Sequence, residues 1–169
     1  MTQREKALVG EITEEMKYVA KEEKVEAEII RSGVAEGSIV ITGNAKYHSI
    51  KPLAIGKGLK TKVNANIGTS KDHTSLEEEI EKLKIFIEAG ADTVMDLSTG
   101  GDIEKIRKAI KKESTIPVGT VPIYQAVIET VSERKKPLVE MSGDDIFKVI
   151  EKKCKDGVAF SSGHCGETL

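Results

Sequence analysis

A carboxylate, an amide, hydroxyls, a phenol and an imidazole occupy one kind of place in this sequence, where a short apolar stretch gives way to a loop. Asn66, Asp96 with Ser98, Thr120 with Tyr124, and His164 all fall at such points. The set consists of hydrogen-bonding groups and suits the orientation of a polar small molecule. It contains no serine–histidine–carboxylate arrangement, and His48, His73 and His164 lack the spacing of metal ligands. Ser98-Thr99-Gly100-Gly101-Asp102 joins a strand to a helix. Its N–H groups could hold a phosphate; the plainer reading is a tight turn followed by an Asp102 cap. Asn64 and Asn66 could equally satisfy loop backbone, Met95 could fill core, and Tyr124 could rest on a helix surface. A small-residue loop leaves the imidazole of His164 within reach of a ligand.

The elements that must position these residues are signalled locally. Thr13 opens a helix with Glu14 and Glu15 in its first turn, where the helix dipole favours negative charge. A second helix, about Val25–Glu36, stops at Gly37. A short apolar run, Ser38–Ile41, leads into an expected loop from Thr42 to Gly58. Strand and helix then alternate. Lys62–Asn66 alternates as a strand does. Ser75 with Glu78 spells a capping box for a helix whose stripe is Leu76, Ile80, Leu83 and Ile87 and whose end is Gly90. Thr93–Ser98, Pro117–Val121 and Val158–Ser162 read as further strands, separated by helices at Asp102–Lys112, from Pro122, and from Ser142. The last carries Phe147, Ile150 and Cys154.

Four βα-type repeats imply parallel strands and an α/β class, either an open sheet or part of a (β/α)8 barrel. The polar residues collect at the carboxyl ends of the strands, the edge where both kinds of α/β protein build sites. The expected division is a helical segment and loop over 1–58, followed by βα units over 59–169.

Composition excludes several functions. Lys and Arg number 26 against 28 Asp and Glu, with the signs interspersed, so neither a nucleic-acid nor a membrane-surface partner is indicated. No apolar run approaches the roughly 20 residues of a membrane span, and the start lacks a secretory core, which points to the cytoplasm. Cys154 and Cys165 fit neither a CxxC pair nor a disulfide framework, and each reads as a free, partly buried thiol.

KVNANIGTS (Lys62–Ser70), ADTVMDLSTG (Ala91–Gly100) and PVGTVPIYQA (Pro117–Ala126) resemble, in order and spacing, three strand-and-loop signatures of the phosphomethylpyrimidine synthase family. ITEEM at Ile12 resembles that family's opening helix, and GVAFSSGHCG stands in the place of its histidine-bearing strand. The resemblance implies a radical S-adenosylmethionine lyase on a TIM-type (β/α)8 barrel, of which this chain would hold the first half after an amino-terminal helical segment. It implies conversion of aminoimidazole ribotide into hydroxymethylpyrimidine phosphate in thiamine biosynthesis, with substrate contacts at Asn66, Met95, Tyr124 and His164. It also implies a [4Fe–4S] cluster, S-adenosylmethionine and a divalent metal in the full-length family. None of these is expected on this chain, which lacks CxxCxxxxC and is expected to be inactive alone. The alternatives are the related 5-hydroxybenzimidazole synthase of cobamide biosynthesis and a non-catalytic ribotide-binding or assembly module. An incomplete barrel exposes strand edges, so a homo-oligomer is expected.

Overall fold

The computed structural model describes residues 1–43 and 50–163. Three helices come first: α1 (Gln3–Leu8), α2 (Glu14–Glu23) and α3 (Ala27–Glu36). Thr2 and Glu5 form a reciprocal capping box on α1. The Thr13 hydroxyl accepts the Met16 N–H at the start of α2, and Gly37 ends α3 in the left-handed region. β1 (Ile39–Thr42) then pairs antiparallel with β2 (Leu53–Gly56). Met16, Val19, Ile30, Val34, Ile39 and Ala54 close a core between these helices and the hairpin.

Two of these elements depart from expectation. α1 was not anticipated, because six residues carry too little periodicity to register. β2 lies inside the stretch expected to be loop: it is four residues long, and its strand character comes from pairing with β1 and burying Ala54.

The rest is a parallel sheet and its connecting helices. β3 (Asn64–Ile67), β4 (Thr93–Asp96), β5 (Val118–Thr120) and β6 (Phe160–Ser161) lie side by side in chain order. The connections are α4 (Leu76–Glu88), α5 (Ile103–Glu113), then α6 (Pro122–Ile128) and α7 (Gly143–Asp156). Pro122 takes the first position of α6, as expected from its missing N–H. Ser75 caps α4 by accepting the Glu78 N–H, but the Glu78 carboxylate turns to His73 Nε2 at 2.6 Å, so only half of the expected capping box forms. Ile67, Leu83, Val94, Ile106, Ile110 and Val118 pack the helices onto one sheet face.

α7 corrects a further expectation. Phe147 and Cys154 are exposed, and the residues that α7 buries are Val149 and Lys153. The inward face runs through Ile146, Val149, Ile150 and Lys153, so Ile150 lies where expected, while Lys153 continues the stripe in place of an apolar residue and Phe147 and Cys154 fall to the solvent side. Cys165 lies outside the described residues.

Beneath the helices runs a buried polar girdle. The guanidinium of Arg107, on α5 and 1% exposed, donates to Gln125 Oε1 on α6 at 2.9 Å and to Asp156 Oδ2 on α7 at 2.6 Å. Gln125 in turn donates to Glu129 at 2.8 Å. Three helices are therefore tied through one side chain, and α5, α6 and α7 lie on the same side of the sheet. A second tie joins the two halves of the chain. Lys62, just before β3, pairs with Glu23 at the end of α2 at 2.9 Å, and both side chains are almost fully buried. The Lys60 N–H also donates to Glu23 at 2.9 Å. Burial pushes the Glu23 carboxyl upward, but these two donors outweigh it and hold the group below its ordinary range.

Replacing Arg107 by Met would leave Gln125 Oε1 without its donor and Asp156 with only the more distant Lys108, at 3.9 Å, as a cationic partner. Arg107→Met is expected to lower unfolding stability by about 3 kcal/mol, as for other broken buried pairs. Urea denaturation checks this, and a loss under about 1 kcal/mol would show that the girdle adds little.

Candidate functional site

The parallel register decides which side chains share the open face of the sheet. Asn64 lies opposite Thr93, Asn66 opposite Met95, Met95 opposite Gly119, and Gly119 opposite Phe160. These residues alternate with Ile67, Val94 and Val118, which face the helices. Asn66 is exposed and Met95 is 8% exposed, so an amide and a thioether stand together on adjacent strands. Gly119 leaves a gap that the Phe160 ring fills: a Cβ there would sit 2.4 Å from ring carbons. Beside this face lies an open cleft of about 620 Å3, lined among others by Leu59, Lys62, Asn64, Thr93, Met95 and Phe160.

Tyr124 stands in the first turn of α6, directly after β5, and is 39% exposed. Its hydroxyl makes no hydrogen bond among the described residues. It is thus on the carboxyl-end rim, reachable by a ligand. His164 lies outside the described residues, as does His48. Of the four residues singled out by resemblance, the structure brings Asn66 and Met95 side by side and sets Tyr124 on the rim.

Asp96 and Thr120 belong to the other side. Asp96 is opposite both Ile67 and Thr120, and is 5% exposed. Its Oδ1 accepts the Ser98 N–H at 3.0 Å and the Ser98 hydroxyl at 2.5 Å, folding the strand end into a turn. Burial pushes its pKa up, against the pull of these hydrogen bonds and of Lys153 and Arg107. Thr120 is wholly buried, and its hydroxyl is without a partner among the described residues. Strand-end position alone grouped these two with Asn66; the period of two in a strand separates them.

The glycine-containing loop after β4 proves to be a packing device. The Thr69 hydroxyl donates to the Gly100 carbonyl at 2.7 Å, and the Thr69 N–H donates to Ser98 Oγ at 3.2 Å. A Cβ on Gly100 would lie 2.0 Å from the Ser70 carbonyl oxygen, so only glycine lets the loops after β3 and β4 meet. Asp102 caps α5 by accepting the Lys105 N–H at 3.0 Å. Glu79, 1% exposed, braces the first loop by accepting the Gly68 N–H at 2.7 Å. Sequence reasoning passed over Glu79 because it reads as one of three glutamates on a charged helix face. It also passed over Thr93, whose hydroxyl donates to Asn64 Oδ1 at 2.8 Å, a contact that only the register between β3 and β4 brings about.

A four-stranded parallel sheet in chain order, with helices packed on one face and polar side chains beside a cleft on the other, defines an α/β protein with a candidate small-molecule site. The comparisons narrow this class. The model of the radical SAM ThiC family matches residues 2–169. Phosphomethylpyrimidine synthase of Desulforamulus reducens is 56% identical over 169 residues, all of this chain and 39% of that protein. The proteins of the same name from Pyrococcus furiosus and Syntrophus aciditrophicus are 54% and 56% identical over 168 residues, 99% of this chain and 39% of each relative. The chain belongs to the radical SAM ThiC family, and it spans about 39% of the length of these curated relatives.

Lys153 offers a test of the layer behind the site. Burial, with Arg107 adding to it, depresses its ammonium to about 8, against the opposing pull of Asp96, Asp156 and Glu129. The unfolded chain, with an ordinary lysine, binds this proton up to about pH 10.4. The unfolded state therefore holds more protons between about pH 8 and 10, and stability attributable to Lys153 rises with pH across that window. Below pH 8 both states are charged and the burial cost persists in full. Lys153→Met is accordingly expected to be more stable than the parent at pH 7, by on the order of 2 kcal/mol, with the difference shrinking towards pH 10. Paired thermal melts check it; a difference independent of pH would contradict the assignment.

Proposed function

We propose that this chain forms the ribotide-binding part of a phosphomethylpyrimidine synthase, which rearranges aminoimidazole ribotide into hydroxymethylpyrimidine phosphate in thiamine biosynthesis. The observation that carries the reading is the Asn66–Met95 pair, side by side on the open sheet face in a chain 56% identical to a protein of that name. Asn66 supplies hydrogen bonds to the heterocycle or ribose, and Met95 packs against a ring without polar demand. Tyr124 and His164 complete the set from the rim.

The sheet supports a further reading as the first strands of a (β/α)8 barrel. Its strands run in chain order without reversal, whereas a doubly wound sheet reverses and carries helices on both faces. β3 and β6 are the sheet's outer strands, and further strands of a barrel would cover those edges. We read the protein as cytoplasmic and homo-oligomeric. Among the described residues no helix is long and apolar enough to cross a membrane.

The family is named for radical S-adenosylmethionine chemistry, which implies a [4Fe–4S] cluster in the full-length proteins. The residues of this chain do not fit that cluster. It has two cysteines in all, of which Cys154 is exposed on α7, and a cluster is held by closely spaced thiolates. Among the described residues no group of three histidines, cysteines or carboxylates could hold a metal. The contribution of this chain is therefore binding and orientation.

Calorimetric titration with aminoimidazole ribotide tests the reading. Asn66→Ala is expected to weaken binding by about tenfold, the worth of one to two hydrogen bonds, without lowering the melting temperature. Equal affinity in the two proteins would remove Asn66 from the site.

A further inference from the structure

Asn66 does not stand alone on its strand. The Thr93 hydroxyl on β4 donates to Asn64 Oδ1 at 2.8 Å, and Asn64 Nδ2 donates to Asn66 Oδ1 at 3.2 Å. Thr93 is buried at 2% exposure, whereas both asparagines are exposed, so the chain of bonds runs outward from a fixed anchor. An asparagine amide offers a carbonyl acceptor at one end and two donors at the other, and its partners decide which end is presented. The carbonyl of Asn66 is turned inward to Asn64. Its Nδ2 has no hydrogen-bond partner among the described residues and is left for a ligand.

We propose that Asn64, oriented by Thr93, is a positioning residue that fixes the amide of Asn66 so that Asn66 presents its N–H donors. The ligand atom it meets is then an acceptor: an unprotonated ring nitrogen or a ribose oxygen. The inference rests on the ribotide reading above for the ligand's identity, but the Thr93–Asn64–Asn66 order is a property of the protein alone. A specificity follows from it. A ligand placing an N–H donor at this point would face another donor, and a site built around buried or fixed polar groups rejects such mismatches strongly. Serial bonds of this kind also polarise one another, so that loss of the first weakens the orientation of the last.

Asn64→Asp supplies the decisive variant, because a carboxylate accepts only. Asn66 can then bond to residue 64 only through Nδ2, which turns its amide over and presents the carbonyl to the ligand. Two readouts are taken on the full chain. In 15N-labelled protein, the side-chain amide signals of Asn66, assigned by their loss in Asn66→Ala, are expected to shift clearly in Asn64→Asp and less in Asn64→Ala and Thr93→Val. In ribotide titrations, Asn64→Asp is expected to weaken binding at least tenfold and Asn64→Ala severalfold. The double variant Asn64→Ala/Asn66→Ala is expected to bind no more weakly than Asn66→Ala alone, since Asn64 acts only through Asn66. Fully additive losses would overturn the proposal, as would Asn66 amide signals that stay in place in both Asn64 variants. If even the parent chain binds no ribotide, the ligand assignment fails, while the amide signals still decide whether Asn64 orients Asn66.

Discussion

The register between β3 and β4 is the constraint on which this structure turns. Asn66 opposite Met95 sets the open face, and Ile67 opposite Asp96 sets the face under the helices. Side chains alternate with a period of two, so a slip of one residue would bury Asn66 among Leu83 and Ile106 and expose Ile67. The register is held from both ends. At the start, the Val63 N–H donates to the Asp92 carboxylate at 2.7 Å and the Asp92 N–H returns to the Val63 carbonyl at 2.9 Å. At the far end, Thr69 reaches Gly100 and Ser98, so the loops lock where the strands stop. The site inherits its geometry from these two clasps.

The two sheet faces solve different physical problems. Towards the helices the strands bury Ile67, Val94 and Val118, yet the same layer holds Arg107, Asp96, Gln125 and Lys153. Such groups cost free energy to desolvate and are retained here in linked sets, Arg107 with Gln125 and Asp156, and Asp96 with Ser98. Lys153 is the exception, with its charge balanced at a distance by carboxylates and opposed by Arg107. On the open face the polar groups stay near water and keep donors available. A protein that orients a polar ligand gains from that division, because the rigid layer and the receptive layer are separate.

Much of this was legible in the sequence, for reasons that particular residues make clear. α4 and α5 carry apolar stripes at helical spacing and caps at Ser75 and Asp102, so their existence and bounds were readable. The parallel class followed from their alternation with short β-branched runs. Asn66 and Met95 were singled out through motif resemblance, and their adjacency needed the register. What failed were readings where a local rule met a tertiary partner. The Glu78 carboxylate left its cap for His73, α7 buries Lys153 beside Val149 and leaves Phe147 exposed, and β2 formed because β1 was there to receive it. Strand-end position was too coarse to place Asp96 and Thr120, since it ignores which way a side chain points.

The buried pair of Lys62 and Glu23 has a mechanical meaning. Lys62 is followed at once by the strand that bears Asn64 and Asn66, and Glu23 closes α2 in the helical unit. With the Lys60 backbone held by the same carboxylate, α2 is tied to the entrance of the first parallel strand at two points. Parting the helices from the strand that bears the asparagines would require a desolvated charge to be left alone.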